Sequence, residues 1–330
     1  MNGGLSGLVN MGNTCYINAA IQCLSHTDLL RIYFLENKYK EDINYEKKEH
    51  KLCISFIDVL KALWEDNCIV KPISFMQQIG LIDKRFSGFN QHDSQEILSI
   101  IINTLHLSLS YQVNMNYKGN PKNEIDHLMI ESIKLWKNNF KNEYSYILDT
   151  FYGQFHSKIK CEKCNKIINN YDPFSTINLP INNKCKTIYD CFDEFVKTEY
   201  IDTDNKWICD NCKKGSNIYK SMFLWKMPKI LIVVFKRFNF NFIPIKINNI
   251  ITFPIDNLNL SNYVNGYDKY NSKYNAYAII NHVGNMNNGH YYSYCKYFNN
   301  CWYEFNDESV SKINTIQLNN VYVIFYKQIE

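Results

Sequence analysis

The sequence predicts an α+β fold in which helices come first and a sheet second. Two observations carry this. From Thr14 to about Leu109, apolar residues recur at intervals of three and four, the spacing of a buried helix face. From about Phe151 the chain changes to short runs rich in Ile, Val, Phe and Tyr, broken by Asn, Gly and Pro, the texture of strands and turns. No internal repeat is visible, and the segregation of the two textures argues against alternating βαβ units.

The first helix is predicted to begin at Cys15. Ile17, Ala20, Ile21 and Leu24 share one face, and Gly12, Asn13 and Thr14 supply turn and N-cap chemistry just before it. Leu52, Phe56, Val59, Leu60 and Leu63 mark a second helical face, and Ile97–Leu109 a third. Between these lies Phe89-Asn90-Gln91-His92-Asp93-Ser94-Gln95-Glu96, where Asp93 and Glu96 have the spacing of a capping box. The charged run Lys38–Lys51 and the Asn-rich stretch Tyr111–Glu124 are expected to be exposed loops. Leu231–Phe235 is continuously apolar and reads as a strand buried on both faces. Tyr274–His282, His290–Tyr297, Trp302–Asn306 and Val321–Tyr326 are further strands.

With 46% hydrophobic and 15% aromatic residues in 330, a sizeable core is available. A net charge of +4, without a long Lys/Arg block, argues against a nucleic-acid partner. The absence of a long apolar stretch or a signal-peptide layout leads us to expect no membrane span and an intracellular setting, cytoplasmic or nuclear. In a reducing compartment twelve cysteines point to metal binding or catalysis rather than disulfides.

Cys15 falls in the first helical turn, where unpaired backbone N–H groups and the positive end of the helix dipole favour a thiolate. Asn10, upstream in the same loop, offers an amide able to donate to a developing oxyanion. At this point a packed structural thiol and a nucleophile are both open.

Cys161-Glu162-Lys163-Cys164 and Cys209-Asp210-Asn211-Cys212 place four thiols on two knuckles, a donor set suited to a closed tetrahedral Zn²⁺ site clipping the tip of a β lobe. Redox pairs, a relic site without metal and a nucleic-acid-binding ribbon are the alternatives. The acidic stretch between the pairs disfavours the last. Cys185 and Cys191, without that spacing, read as packing residues.

Thiol catalysis needs a base and a group that orients it. His290 opens a strand after the polar loop Gly284–Gly289, with His282 across that loop. The next strand, ending Asn306-Asp307, pairs with it, and because side chains alternate faces only one of these two can point at the imidazole. Spacing alone does not choose between them.

In this order the motifs resemble the ubiquitin-specific protease family of cysteine deubiquitinases. GLVNMGNTCYINAAIQCL is similar to its cysteine box and NGHYYSYCKYFNNCWYEFNDESVS to its histidine box. NQHDSQEIL, GQFHSKIKCEKC, DPFSTINLPI, LIVVFKRF, FPIDNLNLSNY and VYVIFYK have counterparts between them. The resemblance implies a single catalytic domain over 1–330 with a papain-like core. Its parts would be a helical thumb (1–150), zinc-clipped β fingers (151–228) and a β-sheet palm (229–330). Carried over residue by residue, it implies Cys15 as nucleophile, His290 as base, Asn306 as the orienting residue and Asn10 as oxyanion donor. Asp307 would assist. Asp93 would hold the backbone of the ubiquitin tail, with Tyr291 walling a channel that admits its glycines and His282 also at the substrate. The expected activity is thiol-dependent hydrolysis of isopeptide or peptide bonds after the C-terminal glycine of ubiquitin, by a monomer holding one structural Zn²⁺. A ubiquitin-binding scaffold and a protease for a ubiquitin-like modifier are the alternatives.

Overall fold

The computed structural model describes residues 3–88, 90–116, 118–202, 206–239, 245–285 and 288–329. Phe89, Tyr117, Met286 and Asn287, which fall within the stretches named above, lie outside the described residues.

Among the described residues, seven α-helices precede the two larger sheets: α1 (Cys15–Ser25), α2 (Asp28–Leu35), α3 (His50–Glu65), α4 (Ile73–Ile82), α5 (Ser94–Ser108), α6 (Glu124–Phe140) and α7 (Tyr146–Phe151). All eleven residues of α1 are buried, including Asn18, Gln22 and Ser25. A helix enclosed on every side belongs to the centre of a core rather than to its surface. It packs with α2 and α5 on one side and with the large sheet on the other. The expected loop over 38–51 contains a 3₁₀ turn at Lys38–Lys40 and buries Tyr39 and Ile43, so its charges cover an apolar anchor. Helix α6 follows the Asn-rich loop and buries only Ser132, Trp136 and Phe140, which is why its sequence carries little periodic signal.

Four strands, β1 (Gly153–Cys161), β2 (Ile167–Phe174), β4 (Glu199–Ile201) and β5 (Ile218–Lys226), form an antiparallel sheet in the order β2-β1-β5-β4. A second, larger sheet runs β10-β9-β8-β7-β11-β6-β3. Its strands are β3 (Ile177–Leu179), β6 (Ile230–Phe235), β7 (Lys273–Gly284), β8 (Gly289–Lys296), β9 (Trp302–Asn306), β10 (Ser309–Ile313) and β11 (Val321–Gln328), and the short Leu258–Asn259 pairs with β7. Every residue of β6 is buried, as its continuous apolar run requires. The segment 151–228 therefore divides between two sheets, because β3 runs parallel to β6 at Val233–Phe235. It also holds a helix, α8 (Ile188–Val196), where the sequence texture suggested strands. A capping box between Thr187 and Asp190 starts it, and Ile188, Cys191 and Phe192 bury its inner face.

The large sheet thus separates two cores. One, on its α1 side, holds Ile17, Ile21, Leu24, Ile280, Val323 and Phe325. The other, on the α8 side, holds Ile188, Phe192, Leu231, Ile279 and Ile324. The alternating sides of β7 and β11 feed the two in turn.

Candidate active site

The chain reaches Cys15 through a loop that Asn10 organises. Its Oδ1 accepts the backbone N–H groups of Gly12 and Thr14, both at 3.1 Å, and Thr14 Oγ1 accepts that of Met11 at 2.9 Å. Thr14 precedes the helix without a side-chain cap of its own, so Asn10 and Thr14 satisfy the loop rather than the helix end. Because Oδ1 is committed to backbone donors, Nδ2 of Asn10 must face the other way, where it donates to Asp307 Oδ2 at 2.8 Å. Cys15 itself is 3% exposed.

The opposite wall is the β7–β8 hairpin. Val283 pairs with His290 and His282 with Tyr291, so His290 is the second residue of β8, a strand that packs against α1. The β8–β9 ladder pairs Ser293 with Phe305. One step further, Asn306 comes opposite Tyr292 and so shares a face with His290, two residues away. Its Oδ1 lies 2.7 Å from His290 Nε2. This is the acceptor position for an Nε2–H, which leaves Nδ1 for the thiol. The hydrogen bond with Cys15, above all, raises the His290 pKa to about 9 against the opposing effect of burial. The Asn306 bond and the nearby Cys15 and Asp307 charges add to it.

Of the two residues left open by strand alternation, Asn306 faces the imidazole and Asp307 turns away. Asp307 adopts φ of 51°, a left-handed residue at a two-residue hairpin turn between β9 and β10, since Asn306 pairs with Ser309. From there its carboxylate bridges Asn10 Nδ2 and Asn18 Nδ2, each at 2.8 Å. Asn18 is a buried polar residue on the core face of α1, and nothing in the spacing of the motifs signalled it.

A cleft of about 260 Å³ lies beside this centre, lined by Gln91, His92, Asp93, Glu96, Phe238, His282 and Tyr291, the residue after His290. Asp93 is the N-cap of α5, accepting Gln95 N–H at 2.8 Å, and its other oxygen accepts the Tyr322 hydroxyl at 2.6 Å. Burial raises its pKa against both hydrogen bonds. Capping and lining the cleft are compatible, because the cap uses Oδ1 and the wall presents Oδ2. Tyr291 is 7% exposed and packs on His282. His282 is wedged between Phe238 and Tyr291, and burial, with Lys246 and His290 nearby, lowers its pKa to about 3. It is a neutral, packed ring at the cleft wall. Across the cleft Gln91 clasps Gly289: its Nε2 donates to the Gly289 carbonyl at 2.9 Å and its Oε1 accepts the Gly289 N–H at 3.1 Å. Gly289 admits no side chain, since a Cβ there would lie 2.0 Å from His282 Nε2.

At the far end of the small sheet, the sulfurs of Cys161, Cys164, Cys209 and Cys212 lie within 4.8 Å of one another. The two knuckles are built alike. In each, the fourth residue after the first cysteine is left-handed, Asn165 (φ 58°) and Lys213 (φ 51°), and its N–H returns to that cysteine's carbonyl. Four thiolates at Zn–S of about 2.3 Å define a tetrahedron with edges of about 3.8 Å. Cys161–Cys212 at 4.0 Å and Cys164–Cys209 at 3.6 Å fit it, so the cluster can hold a metal ion. Cys185 and Cys191 are buried in the α8 core, apart from this group. Among the described residues no helix is long and apolar enough to cross a membrane.

The model of the family described as ubiquitin carboxyl-terminal hydrolase matches residues 6–326. The chain belongs to this family. It is 33% identical over 336 residues to ubiquitin carboxyl-terminal hydrolase 2 of Homo sapiens, covering 98% of this chain and 55% of that protein. It is 29% identical over 421 residues to the probable ubiquitin carboxyl-terminal hydrolase R319 of Acanthamoeba polyphaga mimivirus, covering 98% and 90%. The chain thus spans about half the length of the first of these relatives. Among solved structures, a chain of the SAGA Ubp8/Sgf11/Sus1/Sgf73 DUB module bound to ubiquitin aldehyde superposes with a TM-score of 0.76 at 26% identity. That match covers all of this chain and 70% of the other.

Proposed function

We propose that the protein is a cysteine deubiquitinase that hydrolyses the bond after the C-terminal glycine of ubiquitin. The observation that carries this is the gathering of Cys15, His290 and Asn306 from α1, β8 and β9 beside a lined cleft, with Asn306 Oδ1 2.7 Å from His290 Nε2 and Cys15 the main cause of the raised His290 pKa, in a chain of the ubiquitin carboxyl-terminal hydrolase family. A nucleophile, a base and an orienting acceptor in sequence are the parts that acyl transfer requires.

In this reading His290 takes the Cys15 proton and the thiolate attacks the glycine carbonyl. The oxyanion is met by the second Nδ2 hydrogen of Asn10, the one not given to Asp307, and by backbone N–H groups of the 10–15 loop. The imidazolium protonates the departing lysine amine, and the same ring then activates water against the thioester. Asn306 fixes the ring so that Nδ1 faces sulfur. The cleft between α5 and the β7–β8 hairpin receives the ubiquitin tail, with Asp93 as backbone acceptor and Tyr291 and His282 as walls that leave room for glycine only. The Gln91–Gly289 clasp lies over that path and opens for the tail. The thumb, fingers and palm correspond to 1–150, 151–228 with β3 excepted, and 229–330. Zn²⁺ held by Cys161, Cys164, Cys209 and Cys212 takes no part in the reaction; it cross-links the finger tips.

Ubiquitin bearing a C-terminal electrophile tests the reading. The expected result is a single covalent adduct on Cys15 that vanishes in Cys15→Ala, together with release of fluorophore from a ubiquitin C-terminal amide. A folded protein that forms no adduct is not this enzyme. Adducts only with probes built on another modifier would reassign the substrate.

A further inference from the structure

The residue pair Asp307–Glu308 forms the whole of the turn between β9 and β10. Asp307 grips the side chain of Asn10, as described. Glu308 grips its backbone: Glu308 Oε1 accepts the Asn10 N–H at 3.0 Å. The turn is held against the Cys15 loop by two further features. Leu8 N–H donates to the Asp307 carbonyl at 2.8 Å, and Gly7 allows an approach so close that a Cβ there would lie 2.3 Å from the Glu308 carbonyl oxygen. One end of the β9–β10 hairpin thus presents Asn306 to the imidazole while its turn holds Asn10 by both ends.

We propose that Glu308 is a positioning residue for the oxyanion donor Asn10, an inference that rests on the deubiquitinase reading of this site. Two restraints on one residue determine its aim. With Oδ1 of Asn10 bound to the loop, Nδ2 bound to Asp307 and its backbone N–H bound to Glu308, both rotation of the amide and rotation of the peptide are stopped. The second Nδ2 hydrogen is then aimed before substrate arrives, and preorganised donors contribute most because they need no reorganisation in the transition state. Glu308 is exposed and bonds through a single oxygen, so its role is that of an acceptor at a fixed point. The main influences on the His290 pKa are Cys15, burial, Asn306 and Asp307, and the Glu308 carboxylate bonds the Asn10 backbone instead. Removing it is therefore expected to change the geometry of the loop and not the proton affinity of the base.

The test compares Glu308→Ala, Glu308→Gln and Asn10→Ala by steady-state hydrolysis of a ubiquitin C-terminal fluorogenic amide and by binding of ubiquitin aldehyde, whose adduct with the thiol carries the oxygen that the donor meets. Glu308→Ala is expected to lower kcat about tenfold with KM unchanged, and to weaken aldehyde binding by a similar factor. Affinity for unmodified ubiquitin and the thermal midpoint should stay at parent values. Glu308→Gln, which keeps an amide oxygen at the same point, is expected to restore most of the activity, with the pH profile unshifted. Asn10→Ala should lose a hundredfold or more. If Asn10→Ala is impaired while Glu308→Ala is not, the positioning role is wrong and the oxyanion assignment stands. If neither is impaired, the assignment of Asn10 itself fails. A Glu308→Gln variant as impaired as Glu308→Ala would make the charge, not the hydrogen bond, responsible and overturn the proposal.

Discussion

Replacing Cys15 by alanine should return His290 towards an ordinary histidine, and the size of that change follows from the site. The hydrogen bond with the Cys15 thiol is the largest of the influences that raise the ring to about 9 from 6.5. A group whose folded pKa is raised stabilises the fold in full below its unfolded value, near 6.5, and loses that contribution as pH rises through about 9. At 1.36 kcal/mol per tenfold change in proton affinity the upper bound is about 3 kcal/mol. His290 is only half-buried, so solvent screening reduces this to about 1–2 kcal/mol. Titration of the His290 Cε1–H resonance should therefore give a midpoint near 9 in the parent and a distinctly lower one in Cys15→Ala. Thermal melts should show the parent losing stability relative to Cys15→Ala between pH 6.5 and 9. Equal midpoints in the two proteins, or a parent His290 that titrates near 6.5, would refute the coupling of thiol and imidazole described here. The same ionisation sets an alkaline limit on turnover, because the leaving amine needs the imidazolium proton.

Gly289→Ala should cost about 1–3 kcal/mol of stability and most of the activity, because the new Cβ drives into His282 beside His290; calorimetry and turnover on the same preparation check both. Asp93→Ala removes the α5 cap and strands the Tyr322 hydroxyl, so denaturant melts should register a loss of about 1–2 kcal/mol, and KM should rise because the proposed acceptor of the tail backbone is gone. Metal analysis should find one zinc per chain. Chelation under mild denaturant, or Cys209→Ser, should make 153–226 sensitive to protease while leaving α1 protected, and a chain with far less than one zinc and unaltered protease sensitivity would remove the metal from the account.

The order of helices before sheet, the β6 strand and the cysteine knuckles were legible because each rests on local chemistry: period, continuous apolarity, two-residue spacing. The choice of Asn306 over Asp307 was not, although strand alternation reduced it to two. It depends on where the β9 strand stops, and the left-handed Asp307 that stops it looks like any other turn residue in sequence. Helix α8 was hidden by the surrounding β-rich texture, though Thr187 and Asp190 carry a capping signal. Asn18, Gln91, Tyr322 and Glu308 act through partners between 198 and 298 residues away, and no local pattern encodes such pairs.

The complete enclosure of α1 also bears on how this centre meets reactive small molecules. A thiol fixed to a helix buried along its whole length offers an electrophile little induced accommodation. The histidine facing it sits on a hairpin whose tip is held by the side chains of Gln91 and of Lys246, whose Nζ donates to the His282 and Gly284 carbonyls. Discrimination among inhibitors should therefore arise at the walls that face the hairpin, where Gln91 and Phe238 line the cleft, while intrinsic reactivity stays a constant of the helix.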